Sequence, residues 1–338
     1  MKIDIYAHVI PKKCMEIINK QTGKKVPMLE ATPPLTNLEE RFRIMDRFAD
    51  LMQVLVPSGE PLECALEPKV TAELVKIYND ELAEMVAKYP DRFAAAVAIL
   101  PLSDIEFTLQ EIDRAITELR FKGIFLQTPV YSRRQDGTIM TKSLDSPEFI
   151  PIYEKMVEYN LPIWLHPFRL QDVADYSSES KSRYQIWHVF GWPYVTTAEM
   201  ARLVFSGILQ SFPALKIIIH HAGAMVPFFE QRISSGYGYN EMRFPRKHRV
   251  ELTKSPLEYF RMFYVDTAIN GSIPGLTCAH AFFGSKRMLF GTDMPFDAHM
   301  GYLSIKKTIE SIEKMGISFE DKEAIFQGNA KDLLNLSM

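Results

Sequence analysis

Residues 216–225 read KIIIHHAGAM: three isoleucines in a row, two histidines, then small residues around a glycine. A short, unbroken β-branched run suits a strand buried on both faces, and the small residues mark where it ends. Working outward, comparable runs lie at 2–7, 51–56, 93–100, 123–127, 162–165, 262–266 and 288–291, which with 216–220 makes eight candidate strands. Between them the period changes to that of a helix. In 103–119 Ser103 and Glu106 form a capping-box pattern, and Ile105, Leu109, Ile112, Ile116 and Leu119 keep one apolar face. Further helix starts are marked by Ser146 with Pro147, Thr196 with Glu199, and Ser318 with Asp321. Eight strands alternating with helices predict an α/β fold, a (β/α)8 TIM barrel. No linker, composition shift or internal repeat divides 1–338, so a single domain is expected. The segments 11–37, 167–196 and 222–257 are longer than a barrel requires, and all leave strand C-termini, the face where barrel active sites lie.

The same strand ends carry the chemistry. IYAH ends at His8, WLH at His166, IIIHH at His220 and His221, and LFGTD at Asp293. One such histidine is usually structural, but four strand ends coinciding on one face point to joint function. Imidazoles and a carboxylate are ligands for Zn, Mn or Fe, and strands one, five and eight would bring His8, His166 and Asp293 to the barrel mouth with coordination positions left open. A remaining histidine, titrating near neutrality, suits proton transfer. The loop after the fifth strand carries Phe168, Tyr176, Tyr184, Trp187, Phe190, Trp192 and Tyr194, which suits either a planar substrate or a loop pinned by its own aromatic cluster. Asp266 reads as a structural or supporting group, and the basic cluster Arg243, Arg246, Lys247, His248 and Arg249 as a solvated or subunit-contacting face.

Composition removes other classes. Lys+Arg 39 against Asp+Glu 42 gives a net charge of −3, without the basic excess that nucleic acid demands. The longest continuous apolar run, AAAVAIL at 94–100, is far too short to span a membrane. No leader pattern opens the chain, and Cys14, Cys64 and Cys278 are widely spaced, so a reducing, cytoplasmic setting is expected.

IDIYAHVIP, LPIWLHPF, KIIIHHAGAMVPFFEQRI, MLFGTDMPF and FQGNAKDLLNL, in this order, resemble the motifs of the amidohydrolase superfamily, in the branch containing aminocarboxymuconate-semialdehyde decarboxylase and related aromatic-acid decarboxylases. The resemblance runs almost end to end. It implies one divalent metal, Zn first and Mn second, on His8, His166 and Asp293, with His221 catalytic and Asp293 a second candidate proton donor. His220 falls at a non-catalytic position and reads as structural. Arg232 matches an arginine that reaches a substrate carboxylate in the neighbouring subunit's site, which implies a homodimer. Where the pattern has the first histidine of His-x-His, this chain has Tyr6, a phenol with a pKa near 10 and a poor metal ligand. No residue matches the family's substrate-binding arginine after the first strand, and Arg41 and Arg43 are expected on a helix surface.

The expectation is a metal-dependent, non-oxidative decarboxylase of a small aromatic or conjugated acid, with Phe168, Trp192, Tyr6 and Arg232 around the substrate. A hydrolase or hydratase of a lactone, amide or unsaturated acid would use the same residues. A degenerate barrel that binds a ligand without turnover is the third possibility, with Tyr6 as its motive.

Overall fold

A computed structural model describes residues 1–23, 31–133, 138–243 and 250–336, without the side chains of 133 and 237–243. The basic cluster at 243–249 lies outside the described side chains. Seven parallel strands and one irregular segment form a ring. β1 (Lys2–Val9), β2 (Leu51–Pro57) and β3 (Phe93–Ala96) make one parallel sheet. β4 (Ile124–Thr128), β7 (Ile163–Pro167), β8 (Ile217–Ile219) and β9 (Tyr264–Val265) make a second. Single parallel bridges join them into a closed circuit: Ala98 to Ile124, Val265 to Met288, and Met294 back to Ala7. The eighth position is therefore 288–294, held by Leu289 N to Val265 O at 2.8 Å, Ile5 N to Phe290 O at 2.9 Å and His8 N to Met294 O at 2.8 Å.

Alternation along these strands builds two cores. Ile217 and Ile219 face the surrounding helices, whereas Ile3, Ile5, Val54, Phe125, Trp164 and Ile218 fill the ring interior. Trp164 is fully buried there and its indole donates to Ile5 O at 2.9 Å. Above this plug, the next inward positions are Tyr6, His8, His166 and His220. A one-residue register shift between Asp4 and Ala7 in β1 sets where Tyr6 and His8 aim. Asp4, buried at that shift, accepts from Thr292 Oγ1 at 2.6 Å and Thr292 N at 3.0 Å, tying β1 to the eighth position.

Several local expectations differ from the structure. The helix expected from Ser103 starts one residue later: Asp104 is the cap, accepting from Phe107 N at 3.1 Å, and the helix runs Ile105–Thr117. Thr196 caps nothing, because the helix Gly191–Phe205 runs through it, and Glu199 is buried against β4 and its hairpin instead. Ser318 caps Phe319–Glu323 as expected. An antiparallel hairpin follows β4, pairing β5 (Val130–Arg133) with β6 (Ile139–Lys142). No helix among the described residues is long and apolar enough to cross a membrane.

Candidate metal centre and active site

The mouth of the ring gathers four imidazoles and two carboxylates. His8, buried at the end of β1, shares a hydrogen bond between Nδ1 and Pro57 O at 2.8 Å. A carbonyl can only accept, so the proton sits on Nδ1 and Nε2 presents a lone pair to the centre. That Nε2 lies 3.3 Å from Asp293 Oδ1 and has no hydrogen-bond partner. His166, at the end of β7, keeps its buried Nδ1 equally unpartnered.

β8 stops at Ile219, and the chain then turns through left-handed backbone at His221 (φ 60), Ala222 (φ 55) and Gly223 (φ 78). A Cβ at Gly223 would meet Phe283 at 2.6 Å, so the turn closes only around glycine. Asp266, fully buried after β9, accepts from Ala222 N at 3.1 Å and Ala268 N at 2.9 Å, and its other oxygen binds His220 Nδ1. Asp293 also stands in left-handed backbone (φ 60). Three non-glycine residues in a sparsely allowed region, His221, Ala222 and Asp293, all at the ring mouth, are the strain pattern of a built site.

The ligand-capable atoms form two overlapping triads, His8 with His166 and His220, and His220 with His221 and Asp293, each within 4.8 Å. His220 belongs to both. It is fully buried, its Nε2 is 3.5 Å from Asp293 Oδ1 without making a hydrogen bond, and its ring stacks on Tyr6 at 3.8 Å and 13°. Sequence matching set His220 aside as structural; the strand's two-residue period could have found it, since Ile218 and His220 share the inward face. His221 lies beside it, its Nε2 3.9 Å from Asp293 Oδ2.

Electrostatics follow the geometry. Burial and then the neighbouring imidazoles of His8, His220 and His221 hold His166 well below its ordinary pKa, neutral and able to ligate. Burial opposes the charge on His220, but Asp266 and Asp293 outweigh it and push its pKa to about 9. Burial likewise opposes ionisation of Asp293, yet the edges of His220, His221 and His8 hold its carboxyl well below the usual range. His221 is lowered by burial and by His220. Tyr6 is pushed well above 10 by burial and the two carboxylates, and its hydroxyl donates to Leu165 O at 3.3 Å. It is a neutral phenol turned away from ligation.

Four orphaned, buried ring nitrogens (His8 Nε2, His166 Nδ1, His220 Nε2, His221 Nδ1) fit a cation that would satisfy several at once. Zn–N and Zn–O bonds of about 2.0–2.1 Å in a tetrahedron put neighbouring ligand atoms roughly 3.4 Å apart. The contacts from Asp293 to His8 and His220, 3.3 and 3.5 Å, bracket that edge.

The aromatic loop divides. Trp192 leans edge-on over His166 (5.5 Å) and packs with Phe168 (6.0 Å) and Trp187 (6.0 Å), forming one wall. Phe296 faces His8 from another side at 5.4 Å. Tyr176, Tyr184, Phe190 and Tyr194 are exposed instead. His188, which sequence reasoning passed over, packs on Trp192 at 4.5 Å. Arg232 is exposed on the helix Glu230–Arg243 and is not gathered into the centre of its own chain. Arg43 is exposed and paired with Glu40 as expected. Arg41 is not: it is fully buried, with Nη2 on His8 O, Nη1 on Gln53 Oε1 at 2.7 Å and Nε on Pro34 O at 3.2 Å. Its donors are spent bracing the end of β1, so it is a scaffold group rather than a substrate clamp.

A closed parallel ring with histidines and an aspartate at its C-terminal mouth defines a barrel with a metal-capable centre, and the amidohydrolase family model matches residues 3–336: the chain belongs to that family. Among curated relatives, it is 26% identical to 2-amino-3-carboxymuconate-6-semialdehyde decarboxylase of Dictyostelium discoideum, over 99% of this chain and 92% of that protein. It is 28% identical to gamma-resorcylate decarboxylase of Polaromonas sp. strain JS666, over 88% and 87%. Among solved structures, a dihydroxybenzoic acid decarboxylase from Polaromonas sp. JS666, with bound manganese and the inhibitor 2-nitroresorcinol, superposes with a TM-score of 0.80 at 26% identity, covering 100% of this chain and 97% of that one.

Proposed function

We propose that this chain is a metal-dependent, non-oxidative decarboxylase of a small aromatic carboxylic acid. The observation that carries the reading is the cluster of orphaned imidazole nitrogens and Asp293 beneath an aromatic wall, in a chain whose relatives are decarboxylases. His8, His166 and Asp293 would hold the ion, with Zn favoured by the imidazole-rich donor set and Mn the alternative. When bound, it would supply a positive charge for a substrate oxygen as electrons collect on the ring.

The protein's own residues then have separable tasks. Trp192 and Phe168 offer aromatic faces and edges for a planar ring and keep water from it. His221, lowered in pKa and in reach of Asp293, is neutral near pH 7 and can take a proton and return it. Proton delivery to the ring carbon after CO2 departs falls to His221 or Asp293. Arg232, exposed in its own chain, would clamp a carboxylate across a homodimer contact. We read 1–338 as one catalytic unit, and the reduced thiols of Cys14, Cys64 and Cys278 as suited to the cytoplasm.

The test is CO2 release from a panel of hydroxybenzoates and muconate-like acids by metal-loaded enzyme and His221→Ala. Turnover should fall by about 10²–10⁴-fold in the variant, with metal content unchanged. Hydrolysis of lactones or amides without CO2 from any acid would replace this reading with the hydrolase one.

A further inference from the structure

We propose that His220 is itself a metal ligand, so that this chain's centre is built on three imidazoles, His8, His166 and His220, with Asp293, and that Tyr6 and Asp266 are the positioning residues that make His220 one. The inference rests on the metal reading above and goes beyond it in assigning a ligand from β8 where the first strand offers none.

Three independent observations carry it. First, His220 Nε2 is buried and unpartnered, 3.5 Å from Asp293 Oδ1, and His220 is common to both triads of ligand-capable residues, so it links the His8 and His166 pair to Asp293. Second, its tautomer is fixed. Asp266 binds Nδ1, and the same carboxylate is anchored by Ala222 N and Ala268 N, which keeps the Nδ1 proton in place and leaves Nε2 as the nitrogen that a cation would take in exchange for a proton. A carboxylate holding the far side of an imidazole is the arrangement that orients histidine ligands and raises their basicity. Third, Tyr6 cannot take the place itself. Its hydroxyl is committed to Leu165 O, and its ring lies flat on His220, with His221 3.7 Å away on the same imidazole. The space a ligand on β1 would fill is thus occupied by a ring that fixes the plane of His220. Gly291 permits this packing, since a Cβ there would meet Asp266 at 2.9 Å and Tyr6 at 3.2 Å.

The test uses the full chain, stripped with a chelator and titrated with Zn2+ in competition with a chromophoric chelator, with stoichiometry read by elemental analysis. Wild type should bind one Zn2+ per chain. His220→Asn should weaken binding by at least 100-fold, Asp266→Asn by on the order of 10–100-fold, and Tyr6→Phe should leave stoichiometry intact. Wild-type affinity in a folded His220→Asn variant overturns the assignment while leaving the metal reading standing, whereas no Zn2+ in wild type overturns both. If His220→Asn does not fold, nitrogen NMR of histidine-labelled wild type decides. Coordination must move the His220 Nε2 resonance on adding Zn2+ to the stripped protein, and an unmoved resonance rejects the proposal.

Discussion

Glu63 has a buried carboxyl oxygen without a hydrogen-bond partner, and burial pushes its pKa up to about 7 from 4.5. The folded chain therefore holds this proton more tightly than the unfolded chain. The stability it lends is complete below about pH 4.5 and is lost as the pH rises through about 7. Urea unfolding at pH 4.5 and pH 8 should show wild type losing on the order of 2–3 kcal/mol more than Glu63→Gln over that interval, and parallel pH profiles would refute it. Single residues are also where sequence reading and structure part most. His8, His166 and Asp293 were legible because each ends an apolar strand in a recognisable motif. The place of His220 in the cluster was not legible because motif matching aligns letters, whereas the face a side chain takes depends on strand period and on a left-handed turn at His221 and Ala222, residues whose identity gives no hint of positive φ. Arg41 was expected at the surface on its charge alone. Its burial depends on acceptors at Pro34, His8 and Gln53 that only the folded chain assembles.

At the scale of elements, strand positions followed from apolar runs because a parallel strand covered on both faces can hardly be anything else. The hairpin of β5 and β6 was not legible, since its residues lie outside the ring and carry no long apolar run; Ile139, Met140, Thr141 and Lys142 are all partly or fully exposed. What fixes this hairpin is a helix. Glu199, on Gly191–Phe205, accepts from Thr128 Oγ1 at 2.6 Å, Ser143 Oγ at 2.9 Å and Leu144 N at 3.0 Å, clasping the end of β4 to the two residues that follow β6. Glu199→Ala strands two buried donors, Thr128 and Leu144, and the half-buried Ser143, and should lower unfolding free energy by about 3 kcal/mol. Zn2+ stoichiometry should be unchanged, because the clasp is not among the ligand-capable groups. A loss below about 1 kcal/mol in denaturant titration would show that water replaces the carboxylate without penalty.

At the scale of the whole molecule, the trans role proposed for Arg232 makes an arithmetic prediction. Arg232→Ala and His221→Ala should each be nearly inactive alone. Unfolded together and refolded, half the dimers would be mixed, and each mixed dimer would own one intact site, so about a quarter of wild-type turnover should return. No recovery would place Arg232 in its own chain's site or outside catalysis. The closure of the ring has a different kind of consequence. His8, on β1, leaves the ribosome long before its contact Asp293, and the bridge from Ala7 to Met294 belongs to the last position of the circuit. A nascent chain thus carries its histidines long before it carries a centre, and a chain cut short of residue 293 can bury its early helices yet never complete the ligand set. Capture of a divalent ion then waits for residue 293, and a growing polypeptide has little means of trapping the ion in a half-made barrel.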